Sequence, residues 1–216
     1  METLECITTR KSVRRFRPDP IPEEDIITML EAAAMAPSGA NQQPWKFFVV
    51  RSRSRKEEMV DIVKASCEDL PSLLEGVVEA PVQFGKMIKK RLYVVSLFFA
   101  AAPVVFVVCV KQEENSLLKC YTNKGVSRLE AYKKFGYTAV LSCSAAIENL
   151  LLAACDLGYG TCWMNIPFMA KDALEDLFAI NPPWEILALV PVGIPAHDPR
   201  KPKRKKLEEI SVFIDE

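Results

Sequence analysis

Apolar and polar positions along the chain switch between two periods, and the switches mark out the elements. Leu4 to Thr9 predicts a short helix, followed by the basic stretch RKSVRRFR. Pro22-Glu23-Glu24-Asp25 opens a second helix: proline suits a first turn, and acids there complement the positive end of the helix dipole. Ile26, Ile27, Met29, Leu30, Ala33 and Ala34 give it one apolar face, and it must end by Ala36 because Pro37 follows. A polar loop, SGANQQP, leads to Trp45 and a strand over 46–50. The pattern then predicts helices over 54–75 and 83–100, a strand over 104–110, and loop with some helix over 111–130. Residues 137–157 predict a helix that is apolar nearly all round apart from Glu148 and Asp156, a composition that belongs in a core or against a partner subunit. Gly158 and Gly160 end it and introduce the loop TCWMNIP. A helix over 170–179, a strand over 185–192 and a short terminal strand over 210–214 complete the series.

One run decides between two kinds of protein. Leu92 to Val110 carries no charge, is long enough to span a bilayer, and is preceded by Lys86, Lys89, Lys90 and Arg91. Pro103 divides it. Its second half, VVFVVCV, is β-branched and follows a helix-stopping residue, so it reads as a central strand buried on both faces rather than as half of a membrane span. Helices and strands mix without a regular βαβ alternation, which gives an α+β fold class.

The chain has 216 residues, half of them apolar, which predicts a single domain over 1–216. Its 28 basic and 28 acidic side chains cancel, which speaks against a disordered chain and against a general nucleic-acid binder. Seven cysteines form no C-x-x-C pair and His197 is the sole histidine, a poor donor set for zinc. The opening METLECITTR has no apolar leader, and the expected address is a reducing cytoplasm.

Zero net charge conceals two local concentrations. Residues 10–17 hold Arg10, Lys11, Arg14, Arg15 and Arg17, and residues 200–206 read RKPKRKK. In an extended segment Arg10, Ser12 and Arg14 point the same way, and two guanidinium forks flanking a hydroxyl suit a phosphate. Each cluster alone reads first as a solvated basic face, and 200–206 also as a tail for nucleic acid or an anionic surface in a non-enzymatic binding protein. If the chain ends meet, the two clusters make one anion site. Pro37 to Trp45 (PSGANQQPW) offers amides that donate and accept between two prolines, suited to the edge of a flat heterocycle or simply to a helix-to-strand turn.

Taken in order, Arg10-x-Ser12-x-Arg14, APSGANQQPW at 36–45, LGYGTCW at 157–163 and a basic stretch before LEEI at 207–210 resemble the FMN-dependent nitroreductase family over essentially the whole chain. The resemblance implies a central mixed, mainly antiparallel sheet flanked by helices, in an intertwined homodimer with two FMN molecules at the interface. It implies transfer of electrons from NADH or NADPH through FMN to nitroaromatics, quinones, flavins or similar acceptors in a ping-pong cycle. Arg10 and Ser12 would hold the phosphate and ribityl chain, and Arg14 would lie by the pyrimidine edge of the ring. Pro37, Ser38, Gly39, Asn41 and Gln43 would reach the flavin from the other subunit. Trp163, Met164 and Asn165 would line one face of the ring, with a backbone N–H near Asn165 reaching N5. Arg204 and Lys205 would close the phosphate end, and a middle-of-chain contact would fall somewhere in 83–91. Asn165-Ile166-Pro167 stands where many members have glutamate or glycine, which changes access to the ring. No catalytic acid, base or nucleophile is required, no metal is implied, and neither nucleic acid nor membrane is an expected partner. Cys162 is read as packing, His197 as surface, and Trp45 and Trp163 as core or interface anchors.

Overall fold

The computed structural model describes residues 2–68, 83, 86–87, 93, 96–111, 116–135, 137–165 and 170–215. The sheet is built on two long strands. β2 (Val104–Lys111) is buried from Val104 to Val110, and its side chains alternate between two cores. Val104, Phe106 and Val108 enter one; Val105, Val107 and Cys109 enter the other. This two-sided burial is what a continuous β-branched run encodes. β1 (Trp45–Val50) flanks β2 on one side and β5 (Trp184–Gly193) on the other, both antiparallel. A register shift sits between Val108 and Cys109 on the β5 side. β3 (Gly160–Thr161) and β4 (Met164–Asn165) each pair antiparallel with β5. Among the described residues, an isolated parallel bridge, Ser12 to Thr161, adds a mixed element to this antiparallel sheet.

Helices cover both faces. α2 (Glu23–Ala34) and α6 (Thr138–Asp156) pack on the first core, where Ile26, Met29 and Ala33 meet Ala146, Ile147, Leu150, Leu151 and Ala154. α3 (Arg53–Ser66) and α7 (Lys171–Leu177) pack on the second through Met59, Val63 and Leu174. α1 (Thr3–Thr9) lies against α6, and α4 (Ser116–Asn123) and α5 (Arg128–Phe135) fill part of the stretch expected to be loop with some helix. Buried Lys56 donates from Nζ to the carbonyls of Ala102 (2.5 Å) and Pro103 (3.3 Å), tying α3 to the turn before β2; burial lowers its pKa.

Pro103 divides the Leu92–Val110 run as its composition dictates. Ahead of it the chain makes a 3₁₀ turn at Phe98–Ala101, capped by Leu97, and residues 83, 86, 87, 93 and 96 are helical, while 84–85, 88–92 and 94–95 of the expected 83–100 helix lie outside the described residues. α6 is itself long and apolar enough to cross a membrane by length and composition, but one face of it is the first core. Two expectations need correction. The helix expected over 54–75 stops at Ser66 with Cys67 as its cap, and 69–75 lie outside the described residues. The terminal strand over 210–214 does not form: after a 3₁₀ turn at Leu207–Glu209 the segment pairs with no strand among the described residues, and Ile210, Val212, Phe213 and Ile214 are exposed. β-branched side chains make a strand only where another strand supplies partners.

The link between α6 and the sheet carries a tie of its own. Tyr159 Oη donates to Asp25 Oδ2 over 2.5 Å, joining the end of α6 to the first turn of α2. Burial, and then the hydrogen bond to Asp25, push the phenol from its ordinary value of 10.0 up to about 12. The native state therefore keeps this proton where the unfolded chain loses it. The contribution is fully present below pH 10 and fades as pH rises toward 12. Tyr159→Phe is expected to cost about 1 kcal/mol at neutral pH, and the difference from wild type in urea melts should vanish above pH 12.

Candidate functional site

The strap Arg10–Arg17 is extended and stitched beside the ends of β3 and β5. Val13 N donates to the Thr161 carbonyl (2.8 Å), Arg17 N to that of Ile194 (2.8 Å), and Ala196 N to that of Arg15 (3.0 Å). Val13 is buried and rests on Gly160, where a Cβ would stand 2.5 Å from Val13 Cγ2 and 2.9 Å from Pro195 Cγ. With Val13 turned inward, Arg10, Ser12 and Arg14 take the opposite side of the strap. The C-terminal segment returns to that side. Together they enclose a cavity of about 150 Å³ lined by Arg10, Lys11, Ser12, Arg14, Arg200, Lys201, Pro202 and Arg204. The two basic clusters do meet.

Two of these cations are matched by carboxylates. Lys11 Nζ lies 2.5 Å from Asp198 Oδ1, and Arg10 Nε lies 3.4 Å from Glu148 Oε1 on α6. Lys201 donates to the Thr8 carbonyl at the end of α1, and the Arg14 guanidinium stands 5.9 Å from the Phe98 ring centroid. Among the described residues no carboxylate pairs with Arg14, Arg200, Lys201 or Arg204. Arg10 Nε is buried and has no hydrogen-bond partner among the described residues. A wall of cations that outnumber their carboxylates around one hydroxyl fits a phosphate monoester, whose oxygens accept charge-assisted bonds at close to two negative charges. Cys162 lies behind this wall and is buried; desolvation raises its thiol pKa against the pull of Arg14, Ser12 and Arg10, so it packs rather than reacts.

The loop Pro37–Gln43 is held by its own side chains. Gly39–Asn41 forms a 3₁₀ turn, Ala40, Asn41 and Gln43 take left-handed φ of 50°, 53° and 47°, and Gln43 N donates to Ser38 Oγ (3.0 Å). Gln43 Nε2 donates to Asn41 Oδ1 (3.2 Å). Pro44 then offers its carbonyl to Lys111 N (2.8 Å) and to the Cys143 thiol (3.2 Å), whose pKa burial pushes up to about 12. This loop is far from its own chain's cavity. Trp45 faces Val110, which faces Glu185, whereas Thr161 beside Ser12 faces Val192. The offset along β5 is roughly 23 Å at the rise of a strand.

The structure therefore brings Arg10, Ser12, Arg14 and Arg204 together and leaves Pro37, Ser38, Gly39, Asn41 and Gln43 at the other end of the sheet. Lys205 is exposed and does not line the cavity. Trp163 is partly exposed, Met164 turns its side chain into the second core, and Asn165 is exposed on β4 opposite Ala188. Ile166 and Pro167 lie outside the described residues, as does most of 83–91. Lys11, Arg200, Lys201 and Glu148 were not among the expected site residues. The first three belong to the basic clusters, and Glu148 is one of two acids on a helix that is otherwise uncharged, so the signal existed without a target.

The model of the nitroreductase family matches residues 7–194. The chain belongs to the nitroreductase family. A "Putative NADH dehydrogenase/NAD(P)H nitroreductase" of Methanothermobacter thermautotrophicus is 30% identical over 92% of this chain and 80% of its own length. The crystal structure of a BluB-like flavoprotein from Clostridium difficile 630 is 30% identical, covers 100% of both chains and superposes with a TM-score of 0.87. An oxidized iodotyrosine deiodinase bound to FMN and 3-iodo-L-tyrosine shares the fold at 23% identity, 98% and 100% coverage and a TM-score of 0.69. The fold is thus nitroreductase-like, a mainly antiparallel sheet with helices on both faces.

Proposed function

We propose that the protein is an FMN-dependent oxidoreductase that accepts electrons from NADH or NADPH and passes them to a nitroaromatic, quinone, flavin or similar small aromatic acceptor in a ping-pong cycle. The observation that carries this reading is the closure of one cation-lined cavity by Arg10, Ser12 and Arg14 from one chain end and Arg200, Lys201 and Arg204 from the other. Family membership and the flavoprotein neighbour support it, and the relative named for NAD(P)H supports the donor. The same closure disfavours RKPKRKK as a free polyanion-binding tail, because three of its cations face the cavity.

FMN, when bound, supplies the hydride chemistry. The residues of this chain bind and bias it. Arg10 and Ser12 hold the phosphate end, with Arg204, Arg200 and Lys201 closing over it. Arg14 would hold the pyrimidine edge of the ring, where a permanent cation favours the negatively charged reduced form. The Pro37–Gln43 loop would reach the ring of a second copy, a reading supported by its distance from the cavity of its own chain. Exposed Leu141 on α6 and Tyr137 just before it, with Leu4 and Ile7 on α1, would give a homodimer its apolar contact. All seven cysteines are free thiols, in keeping with a cytoplasmic address.

Purified protein should be yellow, release FMN on denaturation, and bleach with NADH or NADPH under anaerobic conditions. A colourless protein that takes up no added FMN would refute the reading. Arg14→Ala should make the bound flavin harder to reduce, by about 30 mV for each 1.4 kcal/mol of lost stabilisation in a two-electron couple. An unchanged potential in a xanthine oxidase titration would remove Arg14 from the ring.

A further inference from the structure

Glu148 occupies an unusual place. It sits on α6, where the only other acid is Asp156 at the end of the helix, its side chain 45% exposed, with Oε1 3.4 Å from Arg10 Nε. The Arg10 side chain is only 20% exposed, and its Nε is buried. A guanidinium so far out of water needs a counter-charge. Yet the pairing is loose: the two groups are close enough to attract, and Nε still makes no hydrogen bond. Around the same cavity, Lys11 is matched by Asp198, whereas Arg14, Arg200, Lys201 and Arg204 have no carboxylate among the described residues. With no anion bound, these like charges repel one another, and Glu148 is the carboxylate that offsets Arg10.

We propose that Glu148 is a resident counter-ion of the cavity: a positioning residue that holds Arg10 in place before a phosphate arrives and competes with that phosphate once it does. This rests on the assignment of the cavity to the phosphate of FMN. The sign follows from charge. A phosphate oxygen offers Arg10 a shorter, better-directed hydrogen bond than Glu148 does, while the nearby carboxylate repels the dianion. Removing the carboxylate therefore weakens the unliganded protein and strengthens phosphate binding.

Glu148→Gln should bind FMN about two- to fivefold more tightly than wild type at low ionic strength, the size expected of a half-exposed ion pair. Riboflavin, which lacks the phosphate, should bind both proteins equally, and the FMN difference should shrink in high salt. The apo variant should melt earlier than apo wild type, with the gap closing on saturation with FMN. Glu148→Asp, which keeps the charge, should restore the wild-type FMN to riboflavin ratio. FMN bound equally or more weakly by Glu148→Gln, or riboflavin shifted in step with FMN, would overturn the proposal. If wild type binds neither flavin, the functional reading fails instead. Thermal stabilisation by inorganic phosphate then tests the counter-ion alone: a larger shift in Glu148→Gln supports it, and an equal or smaller one overturns it.

Discussion

Gly160→Ala is expected to lower stability by about 2–3 kcal/mol and to loosen FMN in the same step. The added methyl would meet Val13 Cγ2 at 2.5 Å, Val13 Cβ at 2.8 Å and Pro195 Cγ at 2.9 Å. None of these can swing away cheaply: Val13 is buried and branched at Cβ, and Pro195 is a ring bridged to Phe16. The strap must lift from β3, which strains the Val13 N–Thr161 hydrogen bond and displaces Arg10, Ser12 and Arg14 together. For a chain of this size the loss corresponds to a melting temperature lower by about 5–10 °C. Gly158→Ala supplies the control. Gly158 holds φ +85° with open space where its Cβ would be, so alanine there costs about 1 kcal/mol of backbone strain without moving the strap. Calorimetry with and without FMN separates the two. A Gly160→Ala protein that melts with wild type and retains FMN would show that the strap is not pinned by this contact.

The distance between what the residues encode locally and what they do together is visible in these glycines. The two-residue strands β3 and β4 are too short to leave a period in the sequence, and they exist only because β5 offers an edge. By contrast β2 and the division at Pro103 are legible, since a proline and a β-branched run act within a few residues. The terminal segment after Leu207 has strand-forming side chains and no strand, because pairing is a property of the partner. The same distinction holds at the site. Arg10, Ser12 and Arg14 can be read as one face from their spacing alone. Their meeting with Arg204 depends on β5 ending beside β3, and the motif order implies it only through resemblance to the family. Glu148 could not be assigned from sequence, because its meaning lies in the 3.4 Å approach of an arginine from another element.

Arg10→Ala should have the larger effect on cofactor binding. The Arg10 side chain is 20% exposed, with its Nε buried and unbonded among the described residues. A charge-assisted hydrogen bond to a phosphate contributes about 1.5–3 kcal/mol, so the variant should bind FMN roughly 10- to 100-fold more weakly. Riboflavin affinity should fall far less, because the ring contacts and the Ser12 contact to the ribityl chain remain. Arg10→Lys should recover only part of the loss: an ammonium restores the charge but not the planar fork. The salt dependence carries independent information, since a cavity with one fewer cation should show a shallower loss of FMN affinity as ionic strength rises. The measurement is a pair of fluorescence titrations, FMN and riboflavin, on apoprotein of each variant. Equal weakening of both flavins would mean that Arg10 supports the fold around the ring rather than the phosphate. Unchanged FMN binding would mean that the cavity between the two chain ends is not where the phosphate sits.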